Sequence, residues 1–373
     1  MTWLKRAGTS LLLIGVCIGA EFGLKVVIPD TAYRQLFTFA LVNVIVALSL
    51  NVINGMAGQF SIGHAGFVGI GAYTSAIVAS HMHKKFGGGD PTFAHSFLVM
   101  PPAIIAGGLI AALFGFLVGL PSLRLKGDYL AIVTLGFAEI FRLLIATNAP
   151  GPNKSGLRAL LGNLGGPQGY AGPDDFGVAQ YAGPFWIFGG VILTTIIAWR
   201  LKFSGWGRAL RALREDEIAA AAVGVDPTRY KVTSFVISAM GAGIAGALLA
   251  GMRDGNPTVQ PEQFNFLYSF DAITMVILGG SGSVSGAILG GVFVTMTVKM
   301  IEQLQRLDSI EAFRIAHPDF DLNALRMVIY AVVLIIVMIL RPAGVFGENE
   351  ITRFRKRPPE PMPDDPSPKA KAA

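Results

Sequence analysis

Charge is scarce in this chain. Only 14% of its 373 residues are Asp, Glu, Lys or Arg, against 52% hydrophobic, where a soluble globular domain carries about 25% charged residues. That shortfall excludes an ordinary soluble domain. Cysteine is nearly absent as well. A single Cys17 leaves no disulfide framework and no thiolate metal site, and its place in the first apolar run suits a small packing residue in lipid. The chain has no G-x-x-x-x-G-K-[ST] phosphate loop and no H-E-x-x-H, G-x-S-x-G or C-x-x-C, so the residue sets for nucleotide hydrolysis by that loop and for those catalytic sites are missing. His81 and His83 stand two apart at the end of an apolar run, too little for a metal site. No catalytic, metal or cofactor-binding residue is expected, and no enzyme. The net charge of +6 does not signal nucleic acid either, because the bases sit in loops between apolar runs rather than in one patch.

What is abundant is apolar length and glycine. A bilayer core of about 30 Å takes roughly 20 apolar residues per helix. Runs of that kind cover 7–28, 36–53, 60–80, 97–120, 129–147, 184–201, 232–252 and 325–340. A further apolar stretch, 268–300, is interrupted at Gly279-Gly280-Ser281-Gly282-Ser283. Each half is short for a crossing, so two tilted helices and a re-entrant pair are both open. The expected architecture is all-α and polytopic, with about ten membrane segments and 46 glycines for close helix contact. With the N-terminus inside, the larger share of the 30 Lys and Arg falls in inner loops, which is the orientation the positive-inside rule favours. Both termini are then cytoplasmic. Lys5-Arg6 before an apolar run also fits a cleaved leader, but the apolar character continues through Val26-Val27-Ile28, longer than a leader core. Long outer loops at 148–183 and 302–323 offer a docking surface or plain solvated connections, and loops of such length are often functional. The Pro- and Lys-rich tail 348–373 reads as disordered, leaving 1–347 as the membrane domain.

One polar segment breaks the apolar pattern. Residues 205–226, GWGRALRALREDEIAAAAVGVD, carry Arg208, Arg211 and Arg214 every third position, then Glu215, Asp216 and Glu217 ahead of four alanines and Gly224. Acidic residues in an early turn, an alanine run and a Gly–x–x–Pro stop specify a short helix. An amphipathic helix on anionic lipid is the alternative; its small-residue face is poorly apolar for lipid burial and suits the groove of a soluble partner.

Here the residues resemble a known family. Glu217-Ile218-Ala219-Ala220-x-x-x-Gly224 looks like the E-x-A-A-x-x-x-G coupling loop of ABC importer permeases. The wider RALREDEIAAAAVGVD resembles the permeases for branched-chain amino acids. The stretches 51–73, 124–142 and 278–291 and the closing Arg341-Pro-Ala-Gly-Val-Phe-Gly347 are similar to further blocks of that family, in order. The length and outer loop are similar to the longer, M-type member of a permease pair. The resemblance implies a multi-pass inner-membrane permease for leucine, isoleucine and valine, working by alternating access. Its implied partners are a second related permease, two cytoplasmic ATPases that bind the ATP, and an extracytoplasmic amino-acid-binding protein. It also implies that Arg211, Arg214, Glu215, Glu217, Ala219, Ala220 and Gly224 form the coupling element. Related permeases serve urea, short amides or other amino acids, and these stay open.

The glycine-rich breaks at 55–71 and 279–291 stand at similar places after an apolar helix in each half, as interrupted helices do along a transport path. Gln59, Ser61, His64, Ser281, Ser283 and Ser285 are the polar groups there. Small-residue packing alone is the alternative. Charges within spans are costly, about 2.5–3.5 kcal/mol each on insertion scales, so Glu139 and Arg142, spaced i, i+3, are path candidates as well as a structural pair. Glu21 and Lys25, spaced i, i+4, read as structural. Asn43, Asn51 and Asn54 share roughly one helix face and suit interhelical hydrogen bonds. An ion-coupled secondary transporter would need an embedded carboxylate in its path and leaves the 205–226 segment without a purpose.

Overall fold

In hydrocarbon the backbone must satisfy its own hydrogen bonds, so long apolar runs fold as helices. The computed structural model describes residues 2–86, 92–122, 128–148, 163–173, 177–253 and 255–304, with isolated residues between 332 and 350. The helices are α1 (Thr2–Val27), α2 (Thr31–Leu50, continuing as a π-helical stretch Asn51–Met56), α3 (His64–Lys85), α4 (Phe93–Ser122), α5 (Asp128–Ala146), α6 (Pro184–Phe203), α7 (Gly205–Glu215), α8 (Glu217–Ala222), α9 (Pro227–Ala250), α10 (Phe266–Gly279) and α11 (Val284–Leu304). Among the described residues only the isolated bridges Tyr170–Val259 and Ala182–Met252 are extended pairings, so the fold is all-α. Five of the helical stretches are long and apolar enough to cross a membrane: Thr31–Met56, Phe93–Ser122, Tyr129–Ala146, Pro184–Phe203 and Pro227–Ala250. The chain is a multi-pass membrane protein. Most of the expected loop 302–323 and span 325–340, and all of 348–373 except Glu350, lie outside the described residues.

Three expectations change. The run 60–80 begins its helix only at His64, because the chain through Gly58 and Gly63 is not helical. The interrupted stretch is a helical hairpin whose first arm, α10, has 14 residues and so extends about 20 Å at 1.5 Å per residue, short of a perpendicular crossing. And 205–226 is two helices, since Asp216 leaves helical geometry and caps α8, its carboxylate accepting from the N–H groups of Ile218 and Ala219 at 2.8 and 2.9 Å.

Helix α3 sits at the centre, between α4 and α9. Wrapped in protein rather than lipid, it tolerates buried His64, Ser75 and Ser80. The three helices meet through glycine. A Cβ on Gly71 would lie 2.3 Å from the carbonyl oxygen of Gly243, and one on Gly243 would meet the Ala111 side chain at 2.5 Å. Backbones this close leave no room for a methyl group. Gly71→Ala is expected to cost about 1–3 kcal/mol, the usual penalty of overpacking, seen as a lower melting temperature of the detergent-solubilised protein. An unchanged melting temperature would show that α9 can move away freely.

The described part of 148–183 is not a loose connection. The N–H of Tyr170 donates to the carbonyl of Val259 at 2.9 Å and that of Ala182 to Gly251 at 2.7 Å, lacing it to the segment after α9. Buried Glu21 of α1 closes the same end, accepting from Arg253 at 2.5 Å and from the Phe185 N–H, in the first turn of α6, at 3.1 Å.

Candidate functional site at the joined helix breaks

Both glycine-rich breaks and the polar segment meet at one end of the bundle. The first break begins where α2 widens into its π-helical stretch at Asn51, a distortion that frequently marks functional positions. The second is the turn of the α10–α11 hairpin, with Gly280 and Gly282 at φ 117° and 86°. Asn51 joins the two. Its side-chain oxygen accepts from the Gly282 N–H at 2.8 Å, and its amide donates to the Ser283 carbonyl at 3.0 Å. Asn51 is fully buried. The backbones touch beside it, for a Cβ on Gly55 would fall 2.3 Å from the Gly282 nitrogen.

Helix α7 grips this junction. Arg214, in its last turn, donates to the Gly55 carbonyl at 2.7 Å. Its stem lies where a Cβ of Gly58 would stand, at a backbone φ of 67° that favours glycine. Arg214 therefore connects the polar segment to the first break, and Asn51 carries that connection on to the second. Arg211 folds back on its own helix, toward the Gly207 carbonyl at 3.3 Å. Glu215 is exposed beside Arg214. Glu217 accepts from Lys231 of α9 at 2.6 Å. Ala220 is buried against the bundle, whereas Ala219 and Gly224 are exposed. Ile218 and Val223 are 84% and 79% exposed, so α8 shows a small apolar face rimmed by charge. Sequence reasoning passed over both, although an isoleucine and a valine flanking the alanine run were the available signal.

The expected path residues divide into two groups. Near the junction, His64 shares a hydrogen bond with Ser49 at 2.8 Å, and the Ser61 N–H donates to Asn54 at 3.2 Å. Gln59 is buried, with neither atom of its side-chain amide hydrogen-bonded. Ser283 is buried and Ser281 half-buried in the hairpin turn. Glu139 and Arg142 lie elsewhere, a full length of α10 away. Arg142 donates to Glu139 at 2.9 Å and to Glu262 at 2.6 Å, while Glu139 also accepts from the Phe266 N–H at 3.1 Å. The structure does not bring this pair to the breaks; it staples α5 to the start of α10.

That second end holds two adjoining cavities. A cavity of about 540 Å³ is lined by Tyr33, Leu36, Phe39, Leu249, Gln263 and Tyr268 among others. A cavity of about 240 Å³ adjoins it along Phe39, Gln263 and Tyr268 and adds Asn43, Asp271 and Thr295. None of the sequence-expected path residues lines either. Asn43 ties the wall together, accepting from the Tyr268 hydroxyl at 3.0 Å and donating to Thr295 at 2.9 Å. The dimensions suit a small solute. An apolar wall with a few polar groups lies at one end, and the joined breaks beneath the polar segment lie at the other.

Comparison with known proteins finds a matching family and several relatives. The family described as the branched-chain amino acid transport system permease component matches residues 33–338. The high-affinity branched-chain amino acid transport system permease protein LivM of Salmonella typhimurium is 34% identical, over 83% of this chain and 68% of its own length. The probable LivM of Methanocaldococcus jannaschii is 30% identical, over 82% and 91%. The permease protein LivH of Salmonella typhimurium is 24% identical, over 85% and 93%. No solved structure matches the chain.

Proposed function

The chain belongs to the branched-chain amino acid transport permease family, and we propose that it is the membrane-spanning permease subunit of an ABC importer for leucine, isoleucine and valine. It is a transport component, and the chemistry of ATP belongs to other chains. In this reading it resides in the bacterial inner membrane with both termini cytoplasmic, residues 1–347 forming the permease domain. Helix α8 docks in a cleft of a cytoplasmic ATPase, and the cavity beside Tyr268 faces outward, toward a binding protein that delivers the amino acid. A second, related permease completes the pair and a second ATPase serves it.

One contact carries the proposal. Arg214 of α7 holds the Gly55 carbonyl, so a displacement of α8 by an ATPase reaches the first break directly and the second through Asn51. That is the linkage alternating access requires. Gln59, Ser61, His64, Ser281 and Ser283 line the gate in this scheme; Glu139 and Arg142 brace the outer end. Their pairing also weighs against an ion-driven carrier, because Glu139 is already engaged by Arg142 and the Phe266 N–H.

The test is reconstitution of the chain with its partner permease, candidate ATPases and binding protein, measuring uptake of labelled leucine. ATP-dependent uptake inhibited by isoleucine and valine is expected. Inhibition by urea or short amides instead would reassign the substrate, and uptake driven by an ion gradient without ATP would overturn the importer.

A further inference from the structure

Glu350 lies three residues beyond the closing Arg341–Gly347 motif, in a stretch whose composition points to a free tail. It is instead 2% exposed. Its carboxylate accepts from the Lys202 ammonium at 2.5 Å, from the Val284 and Ser285 N–H groups at 2.8 and 2.9 Å, and from the hydroxyls of Ser285 and Ser283 at 2.5 and 3.5 Å. Lys202 is 6% exposed and stands in the last turn of α6, two residues before the N-cap of α7. Val284 and Ser285 open α11, the second arm of the hairpin, where a negative charge is favoured. Burial alone would raise the carboxyl pKa. The Lys202, Ser285 and Val284 donors outweigh that and hold it below its ordinary value, as befits an ionised group. The chain meets the hairpin turn at a second point, since Gly344 abuts Gly280, where a Cβ would lie 2.5 Å from the Gly280 Cα.

Two charges so thoroughly removed from water are costly to assemble, and a surface tail has no need of them. Their position suggests the reason. Arg214 ties the far end of α7 to the first break, and the Lys202–Glu350 pair stands between the near end of α7 and the second. Resting on the importer reading, we propose that Glu350 is a positioning residue for energy coupling: a C-terminal clasp that locks the α6–α7 corner, through Lys202, to the start of α11. Movement of the coupling segment then reaches the first break through Arg214, and the second through Glu350 as well as through Asn51.

The test measures ATP hydrolysed per amino acid delivered, in proteoliposomes holding the complete transporter with loaded binding protein. Glu350→Gln and Lys202→Met are each expected to raise that ratio about fivefold or more, the low end of coupling between linked sites. The amount of assembled complex and the half-saturating concentration of binding protein should hold steady. A chain ended after Gly347 should match Glu350→Gln, and one ended after Arg353 should match the full chain. A merely structural role would lower hydrolysis and transport in proportion, leaving the ratio fixed. That result, or an unchanged Glu350→Gln, overturns the clasp while the importer stands. A wild-type complex without ATP-driven transport overturns both.

Discussion

Leucine uptake is expected to fall to background when Glu217 is replaced by lysine. Glu217 begins α8, where its charge complements the helix N-terminus, and it pairs with Lys231 of α9 at 2.6 Å. The glutamate side chain is 43% exposed, so the pair itself stabilises the fold by about 1 kcal/mol at most. In the importer reading the same carboxylate becomes buried against an ATPase, and losing one partner of a buried charge pair at an interface costs about 2–5 kcal/mol. The second figure decides the outcome. ATPase co-purification and stimulated hydrolysis should both collapse, by roughly thirtyfold or more for that free energy, while the variant still inserts and accumulates in the membrane. Lys231→Met isolates the internal pair and should lower uptake only slightly. The exchange of Glu217→Lys with Lys231→Glu restores the internal pair but not the interface charge. Recovery of uptake in that double variant would mean that Glu217 acts only within this chain, and the docking role would be lost.

The legible parts of this fold were those written in local pattern. Apolar runs of bilayer length located α2, α4, α6 and α9, and the polarity of 205–226 marked the handle. The glycine clusters flagged both breaks without showing that they touch. Asn51 and Gly282 are 231 positions apart, and no periodicity records such a meeting. Composition misplaced Glu350, because an acidic residue at the head of a polar, Pro- and Lys-rich tail looks solvated until the lysine that neutralises it, Lys202, is seen to come from 148 positions earlier. Asp216 had the opposite difficulty. It read as an acidic residue in the early part of one helix, whereas its short carboxylate competes for backbone N–H groups and starts a new helix at an angle. Glu139 and Arg142 were correctly paired by i, i+3 spacing, yet their depth is set by Glu262 and Phe266 on other elements. Spacing gives the pair; only packing gives the place.

Asn51→Leu should disconnect the two breaks without emptying the space between them. Leucine keeps the branched outline of asparagine, is bulkier, and has no group that can donate or accept, so both hydrogen bonds are lost while the space stays filled. Two backbone groups then lose their partner: the Gly282 N–H, now 2.8 Å from the Asn51 oxygen, and the Ser283 carbonyl, 3.0 Å from its amide nitrogen. Each buried orphan costs about 1–3 kcal/mol, so the pair costs about 2–6 kcal/mol. A hairpin turn that can shift toward water escapes part of that cost by opening, which parts the breaks. Uptake should therefore drop by more than tenfold, and ATP hydrolysis should persist because Arg214 still binds the Gly55 carbonyl and α8 is untouched. Asn51→Asp sharpens the argument, since its carboxylate accepts from Gly282 as before but faces the Ser283 carbonyl with no proton to give. If uptake depends on holding both strands of the junction, aspartate fails as leucine does. Full uptake by the aspartate variant would place the requirement on the Gly282 contact alone, and full uptake by the leucine variant would show that the breaks work independently.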